Sequence, residues 1–316
     1  MSRMPQSSSH SRAPQPTGAV PPVRYRVTHE TRYLYAEPVS LSRQWLHLTP
    51  RPHPLQQVLS SSIEVNVPAQ RRSDGFDAFG NPTVLLEIER PHRELVVVAD
   101  MQVEVHAPPP RELSASMPWN EVAALLAFRA GRVPASEVLE ATRYAAQSPF
   151  VQVKNLLVDY AKRDFTPGRP ILEAAHALMR RIYGEFTYDP KATTVGTQVV
   201  ELFSTRRGVC QDYAHFMIAC LRSLGLSARY VSGYLRTIKD GEEPALIGAD
   251  ASHAWVSVFC PKLGWMDFDP TNDVIPKQAH VTLAWGRDFG DVSPLRGIIL
   301  GGGEHQLKVG VAVLPQ

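Results

Sequence analysis

The chain has 316 residues, of which 33 are Lys or Arg and 31 are Asp or Glu, so its formal net charge is only +2. This balance gives no electrostatic reason to expect nucleic acid or an anionic membrane as a partner. Three cysteines are too few for a disulfide framework and fit a reducing compartment. No apolar run approaches the ~20 residues of a membrane span, so a cytoplasmic location is expected. A chain of this length is expected to form two domains.

The first 22 residues are rich in Ser, Pro and Gln and lack the apolar run of a signal peptide, which predicts a disordered tail. Residues 23–107 contain short segments in which apolar and polar residues alternate, as in residues 23–27 and 63–67. Residues 79–82, Phe-Gly-Asn-Pro, predict a turn between two apolar runs. We therefore expect an N-terminal antiparallel β-sandwich over residues 23–107.

Residues 108–165 are predicted to be a helical connector. Three consecutive prolines mark the exit from the β-rich region, and apolar residues then recur at spacings of three and four. Residues 166–316 form the remaining domain. They end in a predicted strand over residues 305–314, where every second residue is apolar.

The most informative segment is Gly208-Val209-Cys210-Gln211-Asp212, which opens a predicted helix. The apolar residues that follow recur at helical spacing on one face, and Gly225 is suited to end the helix. Cys210 then lies in the first turn, where unpaired N–H groups and a partial charge of about +0.5 favour an anion. This position is expected to favour the thiolate, which is the nucleophilic form of cysteine.

Two predicted strands after this helix carry a histidine and an aspartate. His253 begins the first strand, and Asp269 ends the strand that returns beside it. A connection with an odd number of residues, such as residues 261–263, puts Asp269 on the same face as His253, whereas an even number turns it away. We predict the odd register, in which Asp269 accepts a hydrogen bond from one ring nitrogen and the other nitrogen faces Cys210.

Each of these residues also has a structural interpretation. A lone cysteine on a half-apolar helix is more often a core residue, and Asp-Pro-Thr after a strand is ordinary turn chemistry. What favours catalysis is the conjunction of a thiol, an imidazole and a carboxylate, each at the end of a predicted element. The sequence thus predicts Cys210, His253 and Asp269 as the catalytic residues of an enzyme that acts on acyl groups.

The same motifs resemble a known superfamily. Residues 186 to 271 resemble the transglutaminase-like core, which belongs to the papain-like enzymes with a cysteine nucleophile. The motifs that carry this resemblance are Gly208-Val209-Cys210, Ser252-His253-Ala254-Trp255 and Asp269-Pro270-Thr271. Residues 25–105 are similar to the β-rich N-terminal domain that accompanies this core in bacterial proteins. The shared motifs there are His29-Glu30-Thr31-Arg32-Tyr33, Leu48-Thr49-Pro50-Arg51 and Phe79-Gly80-Asn81-Pro82.

The resemblance implies an α+β fold in which residues 166–316 are the catalytic core, with the cysteine helix packed on an antiparallel sheet. It implies Cys210 as nucleophile, His253 as general base and acid, and Asp269 as the residue that orients His253. No cofactor or metal is implied. The implied partner is a protein or peptide whose glutamine side chain or other amide forms an acyl-enzyme, which an amine or water then resolves.

The sequence departs from the crosslinking members of this superfamily at the oxyanion site. Those enzymes use a tryptophan upstream of the cysteine, whereas the nearest preceding tryptophan here is Trp119, in a different predicted region. We expect an oxyanion hole made from the Cys210 backbone N–H and a side-chain donor, either Tyr188 or Gln198. The sequence contains no Asp-x-Asp-x-Asp-Gly run, so it indicates no calcium-binding loop.

Several residues near these motifs are assigned lesser roles. Cys210, His215, His253 and Cys260 could supply zinc ligands, but the paired spacing of zinc sites is absent, so this interpretation is disfavoured. His215 is expected to make a local contact with Asp212 on the same helix. His280, Arg287 and Asp288 are placed in a loop-like stretch where they could line the cleft, and they are left out of the site.

Three hypotheses remain open. The first is acyl transfer from a glutamine-type amide to an amine, and the second is a protease or amidase with water as the acceptor. The third is a binding module whose triad is inactive. The sequence does not separate the first two, because that choice depends on how the cleft excludes water. It indicates no oligomeric state.

Overall fold

The computed structural model describes residues 20–131, 133–236 and 252–316. The strands, in chain order, are β1 (Val23–Leu46), β2 (Gln56–Val65), β3 (Arg71–Phe76), β4 (Pro82–Ile88), β5 (His92–Val105), β6 (Thr187–Tyr188), β7 (Arg207–Gly208), β8 (Ala228–Leu235), β9 (His253–Cys260), β10 (Gly264–Phe268), β11 (His280–Gly286), β12 (Leu295–Gly301) and β13 (His305–Pro315). The helices are α1 (Trp119–Leu126), α2 (Ser136–Thr142), α3 (Asn155–Lys162), α4 (Ile171–Glu185), α5 (Val199–Thr205), α6 (Cys210–Ser223) and α7 (Phe289–Val292).

The α+β class is confirmed. Five N-terminal strands and the C-terminal strands β12 and β13 form a curled antiparallel sheet, and helices and a second antiparallel sheet lie between these two groups of strands in the chain. Most of the predicted tail, residues 1–19, lies outside the described residues. Among the helices that the structure describes, none has the length and apolar character needed to cross a bilayer.

The first sheet is organised around β1, which is 24 residues long. The first half of β1 pairs with β5 and β13, and its second half pairs with β4 and β12. The last strand, which was predicted to belong with residues 166–316, is β13 and pairs with β1. Of its alternating apolar residues, Val313 is fully buried in the core of this sheet and Val311 packs against that core, whereas Leu307 and Val309 are exposed.

The second sheet has the order β10-β9-β8-β11 and packs on α6. Nearly all side chains of α6 are buried, and they meet Ala254, Val256 and Tyr230 from the sheet. Alternation along the strands then leaves His253 and Trp255 on the opposite face. The first sheet packs against β8 and β11 of this sheet, because Tyr234, Val281 and Leu283 belong to the hydrophobic core of the N-terminal strands.

Candidate active site

Cys210 is the first residue of α6, as the helical pattern predicted, and it is half-buried. Asp212 fixes this helix start. Its Oδ2 accepts hydrogen bonds from the backbone N–H of Val209 at 2.9 Å and from the hydroxyl of Thr193 at 2.7 Å. The thiol therefore lies beside the N–H groups of the first turn, which favour a negative charge.

Gly208 has a steric role in this arrangement. A Cβ atom there would lie 2.7 Å from Asp212 Oδ2 and 2.7 Å from Leu202 Cδ1. Glycine is required at this position because the capping carboxylate of Asp212 occupies the space that a side chain would fill.

The predicted strand register is confirmed. Gly264 pairs with Cys260, so β9 and β10 are joined by a three-residue connection, Pro261 to Leu263. Asp269 consequently lies on the same face as His253, and its Oδ2 is 2.8 Å from His253 Nε2. Both side chains are inaccessible to solvent, which makes this a fully buried ion pair when His253 is protonated.

The second ring nitrogen of His253, Nδ1, is buried and has no hydrogen-bond partner among the described residues. The Cys210 side chain nevertheless lies close enough to interact with the His253 ring. Burial lowers the pKa of His253, but Asp269 and the Cys210 side chain outweigh burial and raise it from 6.5 to about 10. Loose geometry of this kind is common before a substrate is bound.

The carboxylate of Asp269 accepts hydrogen bonds from three groups in addition to His253. Its Oδ1 accepts from the backbone N–H of Thr271 at 3.0 Å, and its Oδ2 accepts from Asn272 Nδ2 at 2.8 Å. A third donor to Oδ2 is His280 Nε2 at 3.1 Å. Burial alone would raise the pKa of Asp269, but His253 and His280 hold it well below its usual range.

His280 was wrongly left outside the site by the sequence analysis. It begins β11 as His253 begins β9, and it is buried against the Trp255 ring at a centroid distance of 5.2 Å. A histidine as the first residue of an apolar strand was the available signal. Sequence spacing could not show that β11 and β10, which lie at opposite edges of the sheet, both reach this carboxylate.

Among the described residues, only His253, Asp269 and His280 are arranged so that they could bind a metal ion together. Ligand atoms of His253, Asp269 and His280 lie within 4.8 Å of one another, but the distances of 2.8 and 3.1 Å are those of hydrogen bonds. The disfavoured zinc set does not converge, because His253 and Cys260 are the two ends of β9, which is eight residues long.

The remaining candidate residues are Tyr188, Gln198 and His215. Tyr188 on β6 pairs with Gly208, whereas Gln198 is the exposed residue before α5. The contact expected between His215 and Asp212 is not the one formed. His215 Nε2 accepts from the backbone N–H of Phe289 at 3.1 Å.

Comparisons with known proteins identify the family of the chain. Residues 25–104 match the family model of the bacterial transglutaminase-like N-terminal region, and residues 159–270 match that of the transglutaminase-like superfamily. An uncharacterised protein of Mycobacterium tuberculosis is 38% identical over 300 residues, covering 92% of this chain and 93% of the relative.

Two further matches are more distant. A protein-glutamine gamma-glutamyltransferase of Pseudomonas aeruginosa is 39% identical over 110 residues, which is 32% of this chain and 16% of that protein. A solved structure described as a candidate cysteine protease from Cytophaga hutchinsonii superposes with a TM-score of 0.69 at 19% identity, covering 92% of this chain and 91% of that one. This likeness establishes a shared fold.

Proposed function

Because the chain belongs to the transglutaminase-like superfamily, we propose that it is an enzyme that forms a thioester between Cys210 and an acyl group taken from an amide. We propose Cys210, His253 and Asp269 as its catalytic triad. The observation that carries this proposal is the 2.8 Å bond between His253 Nε2 and Asp269, which leaves Nδ1 beside the thiol at the start of α6.

The reaction follows from these positions. The Cys210 thiolate attacks the amide carbonyl carbon, and the oxyanion is stabilised by N–H donors that include the Cys210 backbone. Protonated His253 gives its proton to the leaving nitrogen as the C–N bond breaks, so ammonia or an amine departs and the thioester remains. Asp269 keeps the imidazole oriented and balances its charge.

The second half of the reaction regenerates the thiolate. An incoming primary amine loses a proton to neutral His253 as it attacks the thioester, and the C–S bond breaks. The local identity to a protein-glutamine gamma-glutamyltransferase supports a glutamine side chain as donor and an amine as acceptor. Water in the amine's place would make the protein a peptidase or amidase with the same residues.

Mass spectrometry of the intact protein tests this proposal. The protein is incubated with glutamine-containing peptides, with and without a labelled primary amine, and the acyl-enzyme and the products are measured. Cys210→Ala is expected to abolish both the adduct and the labelled product. Cys220→Ala is the matched control, since Cys220 is fully buried on the same helix and burial raises the pKa of its thiol.

Three outcomes are distinguishable. Labelled peptide that depends on Cys210 supports acyl transfer, and acid product alone supports hydrolysis. If no peptide forms an adduct and Cys210 reacts with iodoacetamide no faster than an ordinary thiol, the protein is a binding module and the proposal is wrong.

A further inference from the structure

The outer edge of the second sheet is closed by side chains of the first. β11 is the last strand in the order β10-β9-β8-β11. Gln56 bonds both backbone groups of Thr282, since its Oε1 accepts from the N–H at 2.8 Å and its Nε2 donates to the carbonyl oxygen at 2.7 Å. Asn81 bonds both backbone groups of Trp285, since its Oδ1 accepts from the N–H at 3.0 Å and its Nδ2 donates to the carbonyl oxygen at 2.8 Å. Each carboxamide thus replaces one residue of a neighbouring strand.

These two carboxamides are themselves fixed. Gln56 is 2% exposed and Asn81 is fully buried. Asn81 Nδ2 donates to Asp77 at 2.7 Å, and its Oδ1 also accepts from Arg51 at 2.9 Å. The Arg51 backbone N–H donates to the carbonyl oxygen of Leu283 at 3.0 Å, between the two carboxamide contacts. The N-terminal strands therefore define the position of β11 through groups that have little freedom to move.

β11 in turn carries His280 to the carboxylate of Asp269. The other donors to Asp269 come from its own turn and from His253, so His280 is the contact that ties this turn to the opposite edge of the sheet. Gly233 on β8 leaves room for β11 and the Trp255 ring to pack closely. A Cβ atom there would lie 2.1 Å from the carbonyl oxygen of Val281 and 2.5 Å from the Trp255 ring.

We propose that the N-terminal sheet is a positioning element of the active site, in which the carboxamides of Gln56 and Asn81 hold β11 and His280 holds Asp269. This inference rests on the proposed function, because it concerns the same triad. In this role the first sheet supports the active site without contacting the substrate. The three residues are positioning residues, since they act through Asp269 and His253.

Alkylation of Cys210 by iodoacetamide tests this chain of contacts without knowledge of the substrate. At about pH 6 an unassisted thiol is protonated, whereas at about pH 10 it ionises without help, so the ratio of the two rates reports how strongly the start of α6 and His253 together stabilise the thiolate. Because the substitutions below leave the start of α6 unchanged, a change in the ratio reports the contribution of His253. His280→Phe keeps a ring against Trp255 and removes the donor, and we expect the ratio to fall on the order of 10-fold. His280→Gln places an amide N–H near the former Nε2 and should retain the ratio within about 3-fold.

The carboxamides are tested by Gln56→Met and Asn81→Leu, which should each lower the ratio by about 3-fold or more. Asn66→Ala is the matched control. Asn66 makes the same kind of amide pairing, with the backbone of Glu94 and Val96, but wholly within the first sheet. It should leave the ratio unchanged, and circular dichroism verifies that each variant is folded.

The results separate the two proposals. A wild-type ratio no higher than that of an ordinary thiol overturns the proposed function. A high wild-type ratio that His280→Phe leaves unchanged, or that His280→Gln fails to restore, overturns the role of His280. A high ratio that both carboxamide variants retain, or failure of both to fold, overturns the role of the N-terminal sheet.

Discussion

Acid should unfold this protein because two of its histidines are buried in the neutral form. His29 is 1% exposed and bonds the hydroxyls of Tyr234 and Thr31, both at 2.9 Å. His215 is 2% exposed and accepts from Phe289. Burial lowers the pKa of His29 from 6.5 to about 4, and burial with the nearby Arg222 lowers that of His215 to about 3.

The sign and size of the effect follow from proton linkage. Below about pH 6.5 the unfolded chain binds protons at these two histidines while the folded protein does not, so stability falls as the pH falls. Each histidine contributes ~1.4 kcal/mol per pH unit, which is about 2 kcal/mol at about pH 5 and about 4 kcal/mol for the pair. The half-buried His53, whose pKa burial lowers to about 4, adds to the same slope.

His253 has the opposite sign. Its pKa is raised to about 10, so its stabilising contribution is fully present below the unfolded value of 6.5 and is lost as the pH rises toward 10. It therefore cannot cause a loss of stability between about pH 6.5 and pH 5. A fall in this window reports the buried neutral histidines.

Urea unfolding measured at several pH values between about 7 and 5 checks the prediction. His215→Phe keeps a ring in contact with Phe150 and should lower the slope of stability against pH by ~1.4 kcal/mol per pH unit, whatever it costs at neutral pH. His305→Ala, at an exposed position, is the control. Equal free energies of unfolding at both ends of the range, or an unaltered slope in His215→Phe, would refute the reasoning.

Three further substitutions are predicted. Asp269→Asn removes the charge that balances the imidazolium and should slow acylation ~10³-fold or more in a single-turnover assay, with an unchanged rate contradicting its role. Gly208→Ala displaces the Asp212 carboxylate, so the melting temperature and the acylation rate should both fall, whereas Gly310→Ala, which meets no atom within 4 Å, should be neutral. Arg222→Met removes four buried hydrogen bonds and should cost about 3 kcal/mol or more in urea unfolding, and a loss below 1 kcal/mol, roughly one bond, would contradict this.

The cysteine helix and the register of the histidine and aspartate strands were predictable because they depend on local rules. Apolar spacing located α6, and the preference of a helix N-terminus for an anion singled out Cys210. Side chains alternate across a strand, so the choice of an odd connection was enough to bring Asp269 to His253. In each case the decisive contact lies within one helix or one hairpin.

The contacts that sequence reasoning missed join distant parts of the chain. Gln56 and Thr282 are 226 residues apart, and no periodicity relates them. The motif at residues 79–82 was correctly interpreted as a turn, yet its pairing with Trp285 depends on which strand lies at the edge of the second sheet. A turn pattern predicts its own backbone conformation and leaves its neighbour in space undetermined.

The C-terminal strand completes the N-terminal sheet. β13 pairs with the first half of β1, so the N-terminal sheet is completed only when the last residues of the chain are in place. That sheet supplies the carboxamides that hold β11, and β11 supplies the donor that steadies Asp269. Shortening the C-terminus before β13 would expose one long edge of β1 and loosen the sheet that supports the site. On the proposed role of the N-terminal sheet, loss of β13 should therefore also weaken the support of Asp269.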